Sequence, residues 1–251
     1  MKLADIEKKV DALEDADAEI ENEIAALNDT CELIRRGEEF QSNGRIRLAL
    51  KCFLRAGKIY DVDGFVSAAK IFCDVLSDGY AALYLYRYAI RGRSKSVAVT
   101  VTPEEQLLRK LFGEEELPVE WQYPYTFYLE SLRGQAEIFR FGIGGVPADG
   151  RKAIKYCKRI IEIIFGTLDI HSLDDAEKFK RIRADGERGH QYAVRALGDI
   201  ANMYGYGEVG IRPDLNKSEN FYELALYLDH EYLIDKNFRS WWRNECEREF
   251  D

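Results

Sequence analysis

The stretch of sequence that looks most capable of chemistry is a glycine-rich loop followed by two basic residues. Residues 142–152 read GIGGVPADGRK, and a similar loop holds a nucleotide phosphate in the Walker A pattern G-x-x-x-x-G-K-[ST]. Gly145 and Gly150 have that spacing, but Arg151 and Lys152 stand where the pattern requires lysine and then a hydroxyl residue. The hydroxyl that binds magnesium is therefore missing, and the preceding residues read as an amphipathic helix instead of a buried strand. We expect this loop to join two helices without holding a phosphate.

A second copy of the loop supports that interpretation. YGYGEVGIRPDLNK at residues 204–217 repeats the aromatic residue, the glycines, the proline near an aspartate and the final lysine, with two extra residues. Gly142 and Gly205 are expected to end the first helix in a left-handed conformation, and an aspartate is a preferred N-cap for the second. The residues expected to shape the two turns are Gly142, Gly144 and Asp149, and Gly205, Gly207 and Asp214.

The other residues with chemical potential are scattered along the chain. They are His171, His190 and His230, and Cys31, Cys52, Cys73, Cys157 and Cys246. None of the histidines has a partner at metal-ligand spacing, there is no CxxC, and no G-x-S-x-G occurs. Cys31, Cys52 and Cys157 fall on apolar stripes, which predicts core positions for these thiols. We therefore expect no metal, no cofactor and no catalytic residues.

The composition restricts the class of protein. The chain has 251 residues, enough for one large domain or two modest ones. Its formal net charge of −9 argues against a nucleic-acid backbone as the main partner. The opening MKLADIEKKV lacks the apolar stretch of a secretory signal, and no apolar run approaches the length of a membrane span. With single cysteines, these features predict a cytoplasmic protein that binds neither nucleic acid nor membrane.

Residues 1–37 are the most acidic part of the chain, with eleven Asp/Glu against five Lys/Arg. Apolar residues recur there at intervals of three and four, which is the heptad pattern of a coiled coil. The positions assigned to the seam include Ile6, Leu13, Asp17, Ile20 and Leu27. The pattern predicts one coiled-coil-like helix, an arm distinct from residues 38–251.

The partner of this helix stays open between three alternatives. Pairing with a second copy makes it an oligomerisation arm, although Asp17 then faces its own copy in a parallel dimer. The helix can instead pack along its own domain, or it can bind another protein.

From about residue 43 the sequence repeats. Four segments have small or apolar residues at their first, fourth, fifth and eighth positions, as one helix face requires. They are ALKCFLRA from Ala49, ALYLYRYA from Ala82, AIKYCKRI from Ala153 and SENFYELA from Ser218. Another helical stretch precedes each segment, at about residues 28–42, 64–77, 124–141 and 190–204.

Helix pairs that repeat along a chain predict an α-solenoid, because no single pair buries its own apolar face. We predict an all-α solenoid of about four helical hairpins, closed by a capping helix in the last 22 residues or so. Two insertions, residues 93–123 and 166–189, interrupt the rhythm. Insertions in solenoids project from one face and often carry binding specificity.

The loop and its helices resemble a known repeat. The pattern aromatic-G-x-G-(G)-V/I-x-x-D-x-x-K-A, followed by a helix of the AIKYC type, is similar to the Sel1-like repeat, a relative of the tetratricopeptide repeat (TPR). The similarity covers residues 124–165 and 190–230, and the sequence departs from the repeat at Ser218 and Glu219. What the resemblance implies is a scaffold or adaptor that binds proteins and has no catalytic residues. An enzyme or a small-ligand-binding protein, with its site between the insertions and the solenoid, is the alternative.

Aligning the repeats with one another singles out three tyrosines. Tyr80, Tyr84 and Tyr88 lie four residues apart and so form one stripe on a helix. Tyr84 and Tyr88 align with Lys51 and Arg55, which indicates a solvent-facing position. Exposed tyrosines are typical interface anchors, so the stripe is a candidate site for a protein or peptide partner. The alternative is that the insertion at residues 93–123 folds back and covers it.

Overall fold

The computed structural model describes residues 1–14, 16–59, 62–97, 119–165 and 187–228. These residues form ten α-helices and one short 3-10 helix, and no strand occurs among them. The helices are α1 Leu3–Asp11, α2 Ala18–Ala26, α3 Thr30–Ser42, α4 Ile46–Lys58, α5 Val62–Asp74, α6 Gly79–Val97, α7 Val119–Phe141, α8 Gly150–Phe165, α9 Glu187–Tyr206 and α10 Leu215–Leu228, with the 3-10 helix Ile143–Gly145 between α7 and α8. No described helix combines the length and the apolar character that a membrane span requires.

Helices that follow one another along the chain also pack on one another. The chain divides into two compact units, Met1–Ala153 and Ile154–Asp251. In the first unit α3 packs on α4, α4 on α5, α5 on α6 and α6 on α7. In the second, α9 packs on α10. This order of neighbouring pairs is consistent with a helical repeat.

One backbone hydrogen bond recurs in the four connections α3–α4, α5–α6, α7–α8 and α9–α10. The N–H of the residue just before the second helix donates to the carbonyl of an aromatic residue near the end of the first. The donors are Arg45, Asp78, Asp149 and Asp214, and the acceptors are Phe40, Phe72, Phe139 and Tyr204, at N···O distances of 2.8, 2.7, 2.6 and 2.9 Å respectively. The bond ties the start of each second helix to the end of its predecessor.

The same four residues also begin the second helix. The carbonyl of each accepts the N–H of the residue four positions later, which is the first intrahelical bond of a helix. These second donors are Ala49, Ala82, Ala153 and Ser218, at 3.0, 3.1, 3.0 and 2.9 Å. They are the residues at which the four sequence repeats begin. Each repeat therefore starts at the same point of its helix, four residues after the residue that precedes the helix.

The two glycine loops align without a gap. Phe139 precedes Asp149 by ten residues, and Tyr204 precedes Asp214 by the same number. In this register the loops share two left-handed positions, with φ of +67° at Gly142 and Gly207 and of +80° at Gly145 and Gly210. The expected two-residue difference between the loops is therefore wrong.

Gly205 does not end a helix, contrary to the sequence-based expectation. It lies inside α9, which continues to Tyr206, and Gly207 is the residue with positive φ. A Cβ on Gly207 would lie 2.5 Å from Cγ of Pro213, so the turn leaves no room for a side chain there.

Gly144 has a second role beyond its backbone conformation of φ +58°. A Cβ at this position would lie 1.9 Å from the backbone nitrogen of Gly79, and a Cβ on Gly79 would lie 2.0 Å from the carbonyl oxygen of Ile143. The start of α6 and the glycine loop therefore touch backbone to backbone. Only glycine at both positions permits this approach.

The predicted single helix over residues 1–37 is wrong, because the structure contains three helices there. Asp17 is the N-cap of α2, where its Oδ1 accepts the N–H of Ile20 at 3.2 Å. Asp29 is the N-cap of α3, where its Oδ1 accepts the N–H groups of Cys31 and Glu32 at 3.0 and 3.2 Å. These carboxylates satisfy free N–H groups at a new helix start, which a continuous helix would not provide.

The residues outside the repeat are therefore 1–29, which we call the N-terminal segment. α3 begins at Thr30, crosses the expected boundary at residue 37 and pairs with α4. Residues 98–118 and 166–186, which make up most of the two expected insertions, lie outside the described residues, as does the expected capping helix in residues 229–251.

Replacing Gly144 by alanine is expected to destabilise the first unit much more than replacing Gly44. Both glycines have positive φ, at +58° and +74°, but only Gly144 is crowded, since a Cβ on Gly44 would meet nothing within 4 Å. The strained φ costs about 1 kcal/mol in either variant. The clash of Gly144→Ala with the Gly79 backbone should add roughly 2 kcal/mol or more. Urea unfolding followed by circular dichroism measures the difference, and equal losses in the two variants would refute the backbone contact.

Candidate functional site

The outward face of α4 carries a row of cations that the N-terminal segment covers. The row consists of Arg45, which precedes α4, and of Arg47, Lys51, Arg55 and Lys58. Spacings near four residues place the last four along one side of the helix. Each of the five has an acceptor in residues 1–29. We call this face, with its row of cations, the α4 basic face.

Arg47 is the centre of the contact. Its Nε donates to Glu21 at 2.6 Å, and its NH1 group donates to the carbonyls of Asp11 and Leu13 at 2.5 and 2.9 Å. The side chains of Arg47 and Glu21 are only 13% and 19% exposed, the most shielded ion pair between the segment and α4. One guanidinium therefore binds the end of α1, the residues after it and the first turn of α2.

The other cations bind the segment along its length. Lys58 pairs with Glu7, and Lys51 pairs with Asp11 and lies 3.5 Å from Glu21. Nearer the end of the segment, Arg55 donates to the carbonyl of Leu27 at 3.3 Å and to Oδ1 of Asn28 at 2.8 Å. Carboxylates of the acidic segment are thus paired with the cations of one helix of the same chain.

Asp17 has two partners in this structure. Besides capping α2, its carboxylate pairs with Arg45 at 3.0 Å, and Arg45 itself precedes α4 without a side-chain cap. The residue that interrupts the heptad pattern is therefore a link between the starts of two helices.

Apolar side chains of the segment pack within the same chain. Ile6, Val10 and Ile24 are at most 2% exposed. Ile24 belongs to a core cluster with Leu33 and Leu48, and Ile20 and Leu27 pack against that cluster. Leu13 is half-buried. The residues of the expected heptad seam thus contribute to the first unit, as in the alternative that the segment packs along its own domain.

Burial and charge contribute differently to this docking. Fully burying an aliphatic side chain is worth roughly 1.5–3 kcal/mol, whereas a surface ion pair is worth about 0–1 kcal/mol. The three buried aliphatic residues therefore supply most of the attraction. The ion pairs fix which carboxylate meets which cation, and so they set the register.

A cleft remains between α1, α2 and α4. It has a volume of about 490 Å³, an apolar floor that includes Val10, Ile24 and Leu54, and a charged rim. The acidic side of the rim includes Glu7, Asp11 and Glu21, and the basic side is made of Lys51, Arg55 and Lys58. The three helices thus pack together without filling the space between them.

The cations lower the pKa values of the carboxyl groups that they bind. A hydrogen bond from Lys51 lowers the pKa of Asp11, and one from Arg47 lowers the pKa of Glu21. For Asp17 the largest cause of the lowered pKa is the N–H of Ile20, followed by the Arg45 side chain. All three groups are therefore held in the charged form.

The three tyrosines form a second surface, on α6. Tyr80 and Tyr88 are 51% and 39% exposed, while Tyr84 is half-buried. The rings of Tyr84 and Tyr88 stack with centroids 5.9 Å apart, and the ring of Phe65 meets Tyr88 edge-on at 4.9 Å. Residues 98–118, which make up most of the expected cover of this stripe, lie outside the described residues.

The tyrosines and the cations occupy equivalent positions of the repeat. Tyr80, Tyr84 and Tyr88 each follow one of Arg47, Lys51 and Arg55 by 33 residues, the same interval that separates Ala49 and Ala82. The N-terminal segment reaches both helices, because Lys9 of α1 pairs with Asp78 at the start of α6. One outward face of the repeat is thus basic on α4 and aromatic on α6.

The glycine loop is internally satisfied where a phosphate would bind. The Oδ1 atom of Asp149 accepts the N–H of Lys152 at 3.1 Å, and the Lys152 ammonium lies 3.0 Å from Oδ2 and 5.1 Å from the centre of the Phe139 ring. Asp214, Lys217 and Tyr204 repeat this arrangement. A carboxylate of the chain thus occupies the anion position at the helix N-terminus.

The described cysteines fall into two groups. Cys52, Cys73 and Cys157 are buried, and burial raises the pKa of Cys52 and of Cys73 to about 12, so both thiols stay protonated at neutral pH. Cys31 is exposed, contrary to expectation, because α3 begins at Thr30 and turns this residue outward. Among residues with described positions, no cluster of His, Cys, Asp and Glu suits a metal ion.

The α4 basic face was not singled out from the sequence, although two signals for it are present. IRLALKCFLRAGK places cations at nearly four-residue intervals, and residues 1–27 hold nine acidic against three basic side chains. The start of α3 also has a signal in the sequence. In the run Asp29-Thr-Cys-Glu32, an N-cap is followed three residues later by Glu, which is typical of a helix start.

Removing paired carboxylates is expected to weaken the first unit in a pH-dependent way. The pKa values of Asp11 and Glu21 are lower in the folded chain than in the unfolded one. Their stabilisation is therefore complete above the unfolded values near about pH 4 and is lost as the pH falls through the lower folded values. The Asp11→Asn/Glu21→Gln variant should have a lower urea midpoint at neutral pH, and its midpoint should fall less than that of the wild type between about pH 5 and about pH 2.

Glu14→Gln/Glu19→Gln is the matched control for this comparison. It changes the net charge equally, but neither residue pairs with a cation among the described parts of the chain. Identical pH profiles for the two double variants would contradict specific pairing with α4.

Comparison with protein-family models, with curated proteins and with solved structures gives no match for this chain. What the chain does is therefore inferred from its own residues and their contacts.

Proposed function

We propose that this chain is a non-catalytic scaffold that binds a protein or peptide on the outward face of its helical repeat. The observation that carries the proposal is the pair of exposed aromatic residues on α6, Tyr80 and Tyr88. Large exposed aromatic side chains in a row are uncommon on a surface that contacts only water. They are common as anchors in protein interfaces.

The setting of the tyrosines suits binding. The opposite side of α6 is buried through Ala82, Leu85 and Ala89, so the helix that presents the stripe is fixed in the core. Stacking between Tyr84 and Tyr88 restricts both rings before a partner arrives. Restricted side chains lose less conformational entropy on binding, which favours affinity.

A Sel1-like or TPR-like solenoid is the architecture that we propose for the repeat. Four connections with one hydrogen-bonding scheme support a stack of equivalent helix pairs. Solenoids of this kind present long continuous surfaces and serve mostly as binding proteins. A cytoplasmic adaptor is the role that fits such a surface, and it agrees with Cys52 and Cys73 being thiols and not disulfides.

Replacing the exposed tyrosines is expected to abolish partner capture without unfolding the chain. The Tyr80→Ser/Tyr88→Ser variant removes two anchors, and interface anchors of this type contribute about 2 kcal/mol or more each, so affinity should fall by a factor of about thirty or more for each anchor. Quantitative affinity capture from the source cells, with the wild type beside the variant, measures this loss.

Tyr206→Ser is the control, since Tyr206 is also exposed, at 46%, but lies on α9. The proposal requires a defined set of proteins that the wild type and Tyr206→Ser capture and the double variant does not. Equal capture by all three proteins, or co-purification of a small molecule in place of a protein, would count against it.

A further inference from the structure

The N-terminal segment has the chemistry of a ligand for the α4 basic face. It brings carboxylates to the cations of α4 and buries Ile6, Val10 and Ile24, the last of them in one cluster with α4 residues. It is also extra to the repeat, because the first helix pair is complete with α3 and α4. A helical, acidic and amphipathic segment is thus already bound to this face by the chain itself.

Several features make this contact exchangeable. The segment buries three large aliphatic residues and leaves a cleft of about 490 Å³ between α1, α2 and α4. Apart from the shielded pair of Arg47 and Glu21, its ion pairs with the basic face are partly exposed to solvent. Leu27 and Asp29, between α2 and α3, have extended backbones, so no continuous helix couples the segment to the repeat. Exposed ion pairs are weakened by salt and reform with other partners.

The chemistry of the face selects the class of partner. Five cations attract an anion, but the floor that the segment covers is apolar, because Ile24 of the segment packs in one cluster with Leu48 and Cys52 of α4. A nucleic-acid backbone would meet the cations and leave this floor without an apolar partner, and the net charge of −9 repels a polyanion. An acidic amphipathic helix satisfies both parts of the surface.

We propose that the α4 basic face is a docking site for an acidic amphipathic helical segment of a partner protein, and that residues 1–29 occupy the site until that partner displaces them. This inference rests on the proposed scaffold function and names its partner by chemistry. The adjoining tyrosine stripe of α6 extends the same outward face, and Lys9 on Asp78 holds the segment at the border between the two.

The test uses the full chain and a labelled peptide of residues 1–27 as the probe. In the wild type the tethered segment competes at an effective concentration in the millimolar range, so the peptide should bind weakly. In the variant Glu7→Gln/Asp11→Asn/Glu21→Gln the resident segment loses its pairs with Lys58, Lys51 and Arg47. The peptide should then bind at least about tenfold more tightly, as measured by fluorescence anisotropy.

The control protein is Glu14→Gln/Glu19→Gln/Glu38→Gln, with the same change in charge at residues that pair with no cation in the described structure. The control peptide carries the three substitutions of the test variant and should not bind. If the test variant binds the native peptide no more tightly than the control protein does, the proposal is overturned. Equal binding of a single-stranded oligonucleotide, or dimers of the test variant in light scattering, would overturn the assigned class of partner.

Hydrogen exchange of the wild type gives a measurement that does not depend on any variant. The amides of α1 and α2 should exchange faster than those of α4 and α5, and added salt should widen the difference. Exchange of all four helices together at every salt concentration would refute a displaceable segment. The two proposals can fail separately. If the tyrosines do not capture a partner, the peptide can still bind the α4 basic face. If the peptide does not bind that face, the tyrosines can still capture a partner.

Discussion

The fold depends on a single backbone hydrogen bond that is made four times. In each connection, the N–H of the residue before the second helix donates to an aromatic carbonyl of the first, at 2.6–2.9 Å. A helix leaves its first N–H groups and last carbonyls without internal partners, so a connection must satisfy them. This bond does so across the turn, and it fixes the phase of the second helix. The loops after Phe40 and after Phe139 differ, yet both lead into helices in which the same positions of the repeat face inward.

The contact between the N-terminal segment and α4 shows how charge and burial divide their roles. Arg47, Lys51, Arg55 and Lys58 would repel one another along one side of α4 if they stood alone. Carboxylates of residues 1–29 neutralise most of that row, and buried aliphatic side chains hold the segment in place. Because most of these ion pairs are partly exposed to solvent, they favour one register without making the contact permanent.

The sequence predicts the helices of the repeat better than the contacts that they make. Helices occur wherever the repeat predicted them within the described residues, because apolar positions at helical spacing are a local property. The predicted two-residue difference in length between the glycine loops is wrong. Matching the residue types of the two loops places the helix end at Gly205, whereas the turn requires a positive φ at Gly207. The predicted single N-terminal helix is wrong because Asp17 is the N-cap of a new helix and not a position in a continuous seam. The sequence does not predict the contact on the α4 basic face, since the two partners lie about thirty residues apart and no local pattern links them.

A constant frame with a variable face is the arrangement that a binding repeat requires. The residues that build the frame recur: an aromatic carbonyl, a capping residue, and then alanine or serine at the first buried position. The outward positions change from Arg47, Lys51 and Arg55 on α4 to Tyr80, Tyr84 and Tyr88 on α6. A change of this size at buried positions would cost stability, whereas outward positions tolerate it, so specificity can vary without altering the fold. The glycine loop belongs to the frame, because its carboxylate, its lysine and its glycines are all used in joining one helix to the next. In the proposed scaffold, recognition is therefore a property of the helix faces, and the loops hold those faces in register.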